Sequence, residues 1–246
     1  MDAEPDLALC VAMTTAKGLA VRVELSTERL VSLRHQTTAA LRIEPVVIQE
    51  SDGMAILPRV GPRLCEEDLA QIDQATFDFA AQLLAQQRSQ PVIVLPVSFF
   101  TLAARKGRTA LAKVAGPDIG LLKSRVIVEL VDVGRGTPIS RLIDVGGLIT
   151  TACRASFVRV QPGVDMLAAV RGYRPHGLTL DGADLPGGDA QIASQILTFG
   201  DQARGAAPML VVQGLANDGF FQVAEVAGLT HAGLRAVAQG RQRSAA

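Results

Sequence analysis

Short apolar segments rich in β-branched residues alternate along the chain with longer segments whose apolar residues recur every three or four positions. The clearest short segment is RVIVELVDV at residues 125–133, where Glu129 alone interrupts an apolar run from Val126 to Val131. Such a run is typical of a strand buried on both faces. A carboxylate in that setting is costly unless it is paired, binds a metal or faces water. Glu129 is therefore a candidate functional acid, or what remains of a lost site.

Seven segments share this strand-like pattern, and a short eighth lies near the end of the chain. They cover residues 19–25, 39–48, 91–99, 125–133, 156–162, 177–182 and 208–215, with the eighth at about 229–234. Because helical segments separate most of them, we expect parallel strands joined by right-handed crossovers. Their number favours a closed β/α barrel over an open doubly wound sheet. The glycine-rich turns of the Rossmann fold and the Walker loop are absent, since GRG at 134–136 and PGG at 186–188 have different spacing.

Amphipathic periodicity predicts the helices between these strands. The longest covers residues 66–87, another covers 101–115 and is weakened by Gly107, and a third begins at Thr137 and Pro138. Shorter helices are predicted at 164–170, 190–204 and 219–227. The residues expected to face inward are Leu69, Ile72, Thr76, Phe79 and Leu83 in the long helix and Ile139, Leu142, Ile143 and Ile149 in the third.

Charge and cysteine content exclude several classes of protein. The 24 basic residues balance 24 acidic ones, which argues against nucleic-acid binding because that function usually needs a basic face. Cys10, Cys65 and Cys153 lack metal-ligand spacing, and we interpret them as reduced thiols of a cytoplasmic protein. The N-terminus lacks the pattern of a signal peptide and no apolar stretch approaches ~20 residues, so we expect no membrane insertion.

Residues at the C-terminal ends of the predicted strands are the candidates for chemistry, since active sites of β/α barrels lie there. They are Arg42, Glu44, Pro96, Ser98, Glu129, Asp132, Gln161, Asp181 and Gln213. The histidines His35, His176 and His231 share no motif with a cysteine, serine or acid at catalytic spacing. We therefore assign no catalytic residue among them.

Taken in order, these segments resemble the EAL domain of bacterial cyclic di-GMP phosphodiesterases over about residues 19–238. TAALR at 38–42 is similar to the EALLR signature of that family, and LPVS at 95–98 is similar to its VNLS. Further matches are VELVD at 128–132 to LEITE, LTLD at 178–181 to LKID, VQGLA at 212–216 to AEGVE, and IDQATFDFA at 72–80 to LDRWVLRRA. The resemblance implies an α/β fold, an eight-stranded TIM-like barrel of EAL type whose first strand runs antiparallel to the others. Residues 1–18 would then be an N-terminal extension and residues 239–246 a flexible tail.

Members of this family hydrolyse a cyclic di-GMP phosphodiester with divalent metals held by acids at the strand ends. The resemblance implies that Glu129 and Asp181 are retained, that Asp132 replaces a longer acid, and that Arg42 matches a ligand-contacting arginine. Other metal and catalytic positions are replaced, by Thr38, Pro96, Thr179, Gln213 and Ala216, and the fifth strand offers only Gln161. A divalent metal needs several hard oxygen ligands that converge on it. We therefore expect no phosphodiesterase activity, no metal and no cofactor, with residual ligand-binding positions at Arg42, Glu129, Asp132, Asp181 and Gln213.

These expectations lead to a catalytically inactive EAL-like signalling protein that acts through protein–protein interaction in bacterial cyclic di-GMP-type regulation. Its partner would be an unidentified regulatory protein, and the resemblance also implies a homodimer. Two alternatives stay open: a receptor that binds cyclic di-GMP without hydrolysing it through Arg42, and an unrelated barrel enzyme. Arg42 is equally expected to pair with Glu129 across adjacent strand ends. The aromatic pairs that begin at Phe99 and Phe220 are candidate partner contacts.

Overall fold

The protein is described by a computed structural model over residues 8–56, 63–86, 92–114, 116, 118, 120–134, 137–161, 170 and 172–235. Within these residues the strands are β1 (Leu9–Thr14), β2 (Ala20–Ser32), β3 (Thr37–Gln49), β4 (Val92–Ser98), β5 (Val126–Val131), β6 (Ala155–Arg159), β7 (Gly177–Asp181), β8 (Met209–Leu215) and β9 (His231–Leu234). The helices are α1 (Glu66–Gln86), α2 (Phe99–Ala103), α3 (Arg105–Lys113), α4 (Gly120–Arg125), α5 (Ile139–Ala152), α6 (Asp189–Ala203) and α7 (Gly219–Val226), with a short 3₁₀ helix at Gly182–Asp184. No helix in the described part of the chain has both the length and the apolar character needed to cross a membrane.

Strands β2 to β9 close into an eight-stranded barrel, because residues 30–32 of β2 pair with β9 while the other edge of β2 pairs with β3. Every pair from β3–β4 round to β8–β9 is parallel. Only β2 is antiparallel to both of its neighbours in the barrel. The predicted EAL-type barrel with a reversed first strand is therefore confirmed.

The first two barrel strands extend beyond the barrel wall. Residues 20–25 of β2 pair with β1, and β3 runs beside β2 for almost its full length. Sequence analysis did not predict β1, whose side chains alternate between half-buried and exposed, and assigned its residues to the N-terminal extension. The predicted first barrel strand also ended at residue 25, where the polar residues 26–29 interrupt the apolar pattern.

Helices α1, α6 and α7 match the predicted helices closely. All five residues of the predicted apolar stripe on α1 are buried, and the helix packs on β4. The carboxylate of Asp68 accepts hydrogen bonds from the backbone N–H groups of Ala16 and Cys65, at 2.7 and 2.8 Å. These bonds tie the turn before β2 to the start of α1. The predicted helix at 164–170, apart from Val170, and the predicted tail at 239–246 lie outside the described residues.

The single helix predicted over residues 101–115 is two helices, α2 and α3. They are separated at Ala104 by an extended backbone with φ −86° and ψ 142°. Gly107 lies so close to α2 that a Cβ atom there would be 2.0 Å from the carbonyl oxygen of Thr101. The glycine that the sequence presented as a weak point in one helix therefore permits the close approach of two.

Helix α5 presents a different face to the barrel from the one predicted. Leu142 and Ile149 are buried as expected, but Ile139 and Ile143 are 41% and 48% exposed, which corrects their expected inward orientation. Successive residues of a helix turn by about 100°, so Ile143 points away from the stripe that contains its neighbour Leu142. That buried stripe consists of Leu142, Val145, Gly146 and Ile149.

The barrel interior contains two layers. The apolar layer lies toward the N-terminal ends of the parallel strands and consists of Leu30, Ala40, Val94, Ile127, Ala155, Phe157 and Val211. It is separate from the larger core that packs the strands against the helices. Side chains alternate across a strand, so the next inward-facing position on each strand is two residues away. Those positions bring five polar side chains to one level: Glu28, Arg42, Glu129, Arg159 and Gln213.

Candidate functional site

A layer of polar side chains lies inside the barrel next to the apolar layer, and we call it the charged layer. It consists of Glu28 from β2, Arg42 from β3, Glu129 from β5, Arg159 from β6, Thr179 and Asp181 from β7, and Gln213 from β8. All are at most 5% exposed except Arg159, whose side chain is 17% exposed. Charges removed from water in this way are stable only when they are paired and hydrogen-bonded.

Arg42 is the cation at the centre of the layer. Its two terminal nitrogens donate hydrogen bonds to Glu28 Oε2 at 2.8 Å and to Asp181 Oδ2 at 3.0 Å. Its Nε lies 3.5 Å from Glu129 Oε2, an ion-pair distance without a hydrogen bond. The expected pairing of Arg42 with Glu129 is therefore present, but β4 lies between their strands, and two further acids share the guanidinium.

Glu129 accepts hydrogen bonds with both carboxylate oxygens. Arg159 binds it in a bidentate manner, with Nε 3.1 Å from Oε1 and a terminal nitrogen 3.0 Å from Oε2. The Thr179 hydroxyl and the Gln213 amide also donate to Oε1. Burial alone would raise the pKa of Glu129, but attraction to Arg159 and Arg42 outweighs it and holds the pKa at about 2. Glu129 is therefore a carboxylate at neutral pH, and both of its oxygens already accept hydrogen bonds.

Glu28 lies opposite Arg42 in the antiparallel register of β2 and β3. Besides the bond from Arg42, it accepts the backbone N–H of Gly214 at 2.8 Å. Gly214 has a φ of +66°, and a Cβ atom there would be 2.4 Å from Asp181 Oδ1, so glycine is required for this approach. Burial raises the pKa of Glu28 to about 7, because Arg42 offsets the loss of hydration only in part and Glu44 adds repulsion.

Asp181 joins the two arginines at the end of β7. Its Oδ2 lies 3.0 Å from a terminal nitrogen of Arg42 and 3.2 Å from one of Arg159. Its Oδ1 accepts the backbone N–H of Ala183, in the short 3₁₀ helix that follows the strand. The charged layer thus contains three acids that share two arginines.

The structure brings together four of the five predicted site residues, namely Arg42, Glu129, Asp181 and Gln213. Asp132 has none of their contacts: it follows β5 with a φ of +61°, and its Oδ2 is buried without a hydrogen-bond partner. Other residues that the resemblance aligned with catalytic positions lie elsewhere, since Thr38, Gln161 and Ala216 are exposed. Thr38 lies near the start of β3, and Arg42 is the β3 residue of the charged layer.

Glu28 and Arg159 were missed by sequence analysis. Arg159 lies two residues after the inward-facing Phe157, so strict alternation continued through the fifth strand would have indicated it. Glu28 falls in the polar stretch where the first barrel strand was ended too early. Extending that strand through the β2–β3 hairpin would have placed Glu28 beside Arg42.

The acids of the charged layer do not fit a divalent metal ion. Over the part of the chain that the structure describes, no group of three or more His, Cys, Asp and Glu side chains could hold one. Both oxygens of Glu28, Glu129 and Asp181 already accept hydrogen bonds or ion pairs from within the protein. Two guanidinium groups between them would also repel a cation.

No protein-family model matches the sequence, and no curated protein matches it either. Solved structures match its fold at low identity. The PaMucR phosphodiesterase in complex with c-di-GMP is 13% identical with a TM-score of 0.65, over 85% of this chain and 92% of that one. The FimX EAL domain of Xanthomonas citri, also in complex with c-di-GMP, is 13% identical with a TM-score of 0.61, over 85% and 84%.

The YkuI protein of Bacillus subtilis is a third match. It has an EAL domain and was solved in complex with substrate c-di-GMP and calcium. It is 14% identical with a TM-score of 0.63, and the match covers 87% of this chain but only 55% of that chain. This chain thus spans about half the length of YkuI, and at such identities the likeness concerns structure alone. The chain has the fold of an EAL domain.

Proposed function

We propose that the protein is a catalytically inactive signalling protein with an EAL fold, which acts through protein–protein interaction in cyclic di-GMP-type regulation in the bacterial cytoplasm. The observation that carries this proposal is the charged layer. In it, Arg42 and Arg159 pair with the three buried acids Glu28, Glu129 and Asp181. The similar structures solved with c-di-GMP support the regulatory setting.

The charged layer argues against hydrolysis on chemical grounds. Metal-dependent cleavage of a phosphodiester needs a cation that polarises the phosphate and acidifies an attacking water. Arg159, Thr179 and Gln213 already donate hydrogen bonds to Glu129, so a cation would have to displace these donors before Glu129 could ligate it. With a pKa held at about 2 by the arginines, Glu129 is also too weak a base to take a proton from water at neutral pH.

Inactivity is tested by incubating the purified protein with cyclic di-GMP and Mg²⁺ or Mn²⁺ and separating the nucleotides by chromatography. We expect no linear dinucleotide above the level without protein, while an active EAL phosphodiesterase assayed in parallel converts the substrate. Metal-dependent formation of the linear product that disappears in Glu129→Gln would overturn the proposal.

A receptor for cyclic di-GMP is the second candidate, and it now depends on Arg159. Arg42 is 1% exposed and directed at three acids, whereas the Arg159 side chain is 17% exposed. A guanidinium pairs well with phosphate. Calorimetric titration with cyclic di-GMP distinguishes the two candidates: binding that is lost in Arg159→Ala and kept in the surface control Arg22→Ala would establish the receptor.

The protein-interaction part of the proposal is supported by exposed apolar side chains on α5. Ile139, Ile143 and Leu148 are 41%, 48% and 50% exposed. The aromatic pairs contribute less, since Phe99 and Phe220 are each only 5% exposed. Quantitative crosslinking in a bacterial lysate should recover one regulatory protein with the wild type and lose it with Ile143→Glu. Recovery of only a second copy of this chain would favour the homodimer. If no crosslinked protein is recovered with either the wild type or Ile143→Glu, the proposal is contradicted.

A further inference from the structure

Strand β1 forms the outer edge of the sheet that extends beyond the barrel. Within the described residues it pairs with β2 alone, in an unbroken antiparallel register over its 6 residues. Edge strands are usually protected from further pairing by a charged residue, a proline or a bulge. The sequence LCVAMT contains no charged residue and no proline, and its pairing with β2 shows no bulge. The outer edge of β1 can therefore accept a further strand.

The two faces of β1 limit what this further strand can be. Alternate positions lie beside residues of β2 that are at most 1% exposed, and these positions are Leu9, Val11 and Met13. Leu9 and Met13 pack on the main core, and Val11 between them is half-buried. The exposed positions on the other face are Cys10, Ala12 and Thr14. A strand that continues this sheet must therefore be apolar on one face, and the other face favours small uncharged residues.

A second copy of β1 meets both requirements. In an antiparallel pair, directly opposite residues point to the same face of the sheet, so apolar positions must lie opposite apolar positions. Only a two-fold axis at Val11 pairs all three apolar residues, with Val11 opposite its own copy and Leu9 opposite the second copy's Met13. On the exposed face, Cys10 then lies opposite the second copy's Ala12. No like charges meet, because β1 has none.

We propose that β1 is a self-association surface, through which two copies of this chain join β1 to β1 across a two-fold axis at Val11. The result is one continuous antiparallel sheet to which each copy contributes β1, β2 and β3. Strand β1 precedes the residues that resemble the EAL domain, so this surface is separate from the homodimer that the resemblance implies. The inference does not depend on the proposed regulatory partner. Because a single strand pair is a small interface, the dimer should dissociate on dilution.

Sedimentation velocity over a range of protein concentrations measures this association. The wild type should shift from monomer to dimer as its concentration rises. Val11→Lys places two lysines opposite each other on the axis, and it should raise the dissociation constant by about tenfold or more. The matched control is Val226→Lys, because Val226 is 78% exposed on α7, far along the chain from β1. This control should associate like the wild type.

The exposed apolar residues of α5 are a separate surface, and Ile143→Glu distinguishes the two. It should leave self-association unchanged even if it abolishes capture of a regulatory protein. Loss of self-association in Ile143→Glu would place the interface on α5 and overturn the inference. A wild type that stays monomeric at every concentration, or Val11→Lys that associates as strongly as the wild type, would overturn it as well.

Disulfide trapping tests the register and needs no destabilising substitution. Every chain carries Cys65→Ser, and Cys153 is buried, so Cys10 is the accessible thiol. In the proposed pair, Cys10 is diagonal to its own copy at about 7–8 Å, which is too far for a disulfide. The same holds for the thiol of a second protein that carries Cys10→Ser and Ala12→Cys. When the two proteins are mixed, the two thiols lie directly opposite each other.

Mild oxidation of an equal mixture, at a concentration where the wild type is dimeric, should therefore trap about half of the chains as disulfide-linked dimers. Either protein oxidised alone should remain unlinked on a non-reducing gel. Absence of the disulfide in the mixture, or a disulfide in either protein alone, would overturn the proposed pairing. If Val11→Lys does not fold, this experiment decides without it.

Discussion

The two layers inside the barrel share five strands, on which their members lie two residues apart, yet they are stabilised in different ways. In the apolar layer each side chain contributes through its own burial and packing. In the charged layer each group is stable only because its partners are present. A substitution in the apolar layer therefore lowers the free energy of unfolding by the contribution of the atoms it removes. A substitution in the charged layer lowers it further, because a buried charged group is left without its partner.

The largest effect is expected from Glu129→Gln. The amide has nearly the same shape as the carboxylate but leaves Arg42 and Arg159 with one counter-charge fewer in a buried site. We expect a loss of about 3–5 kcal/mol in the free energy of unfolding, measured by urea denaturation at pH 7.

The matched control is Glu24→Gln, because Glu24 pairs with Arg22 at 2.9 Å on the surface. Its urea midpoint should not change measurably, since exposed ion pairs are well hydrated. Equal effects of the two substitutions would mean that water reaches the charged layer, and the contrast between the layers would then fail.

A pH-dependent loss of stability is expected from Glu28. Burial raises its pKa in the folded protein from the ordinary value of 4.5 to about 7. Between these values the folded state holds a proton that the unfolded state has lost, so stability falls as the pH rises from about 4.5 to about 7. For an isolated group the loss is on the order of 3 kcal/mol.

Glu129 acts in the opposite direction and at lower pH. Because its folded pKa is held at about 2, its contribution is present above about pH 4.5 and is lost as the pH falls toward 2.

Urea denaturation from pH 4.5 to 8, compared between the wild type and Glu28→Gln, tests the prediction for Glu28. The comparison separates Glu28 from other titrating groups, among them His231, whose pKa is lowered by burial. Parallel pH profiles for the two proteins would show that Glu28 does not titrate in this range.

The same contrast explains what sequence could and could not predict. The barrel followed from apolar strands of the right length and from their alternation with helices, and the strand around Glu129 was placed within a few residues. The predicted inward orientation of Ile139 and Ile143 was wrong. When a helix is rich in apolar residues, its pattern does not show which of those residues pack against the sheet. Apolar periodicity thus predicts the positions of helices and strands better than it predicts which face of a helix is buried.

The charged layer was harder to predict because each of its charged residues is stable only in contact with partners on other strands. Glu129 attracted notice as an acid in an apolar strand, and its partnership with Arg42 was expected. Arg159 is 30 residues from Glu129 and Asp181 is 139 residues from Arg42, so these contacts depend on barrel closure. Glu28 is local to Arg42, but its polar neighbours concealed the strand that carries it.

The smallest effect is expected from Ile127→Val, two residues before Glu129 on the same strand and in the apolar layer. The substitution removes one methylene from a well-packed position and leaves no charge or polar group without a partner. It should lower the free energy of unfolding by about 0.5–1.5 kcal/mol, with an unchanged dependence on pH between 4.5 and 8. The decisive quantity is the ratio between the losses of unfolding free energy caused by Ile127→Val and by Glu129→Gln, measured under identical urea conditions. If Ile127→Val costs as much as Glu129→Gln, packing and not charge pairing governs both layers.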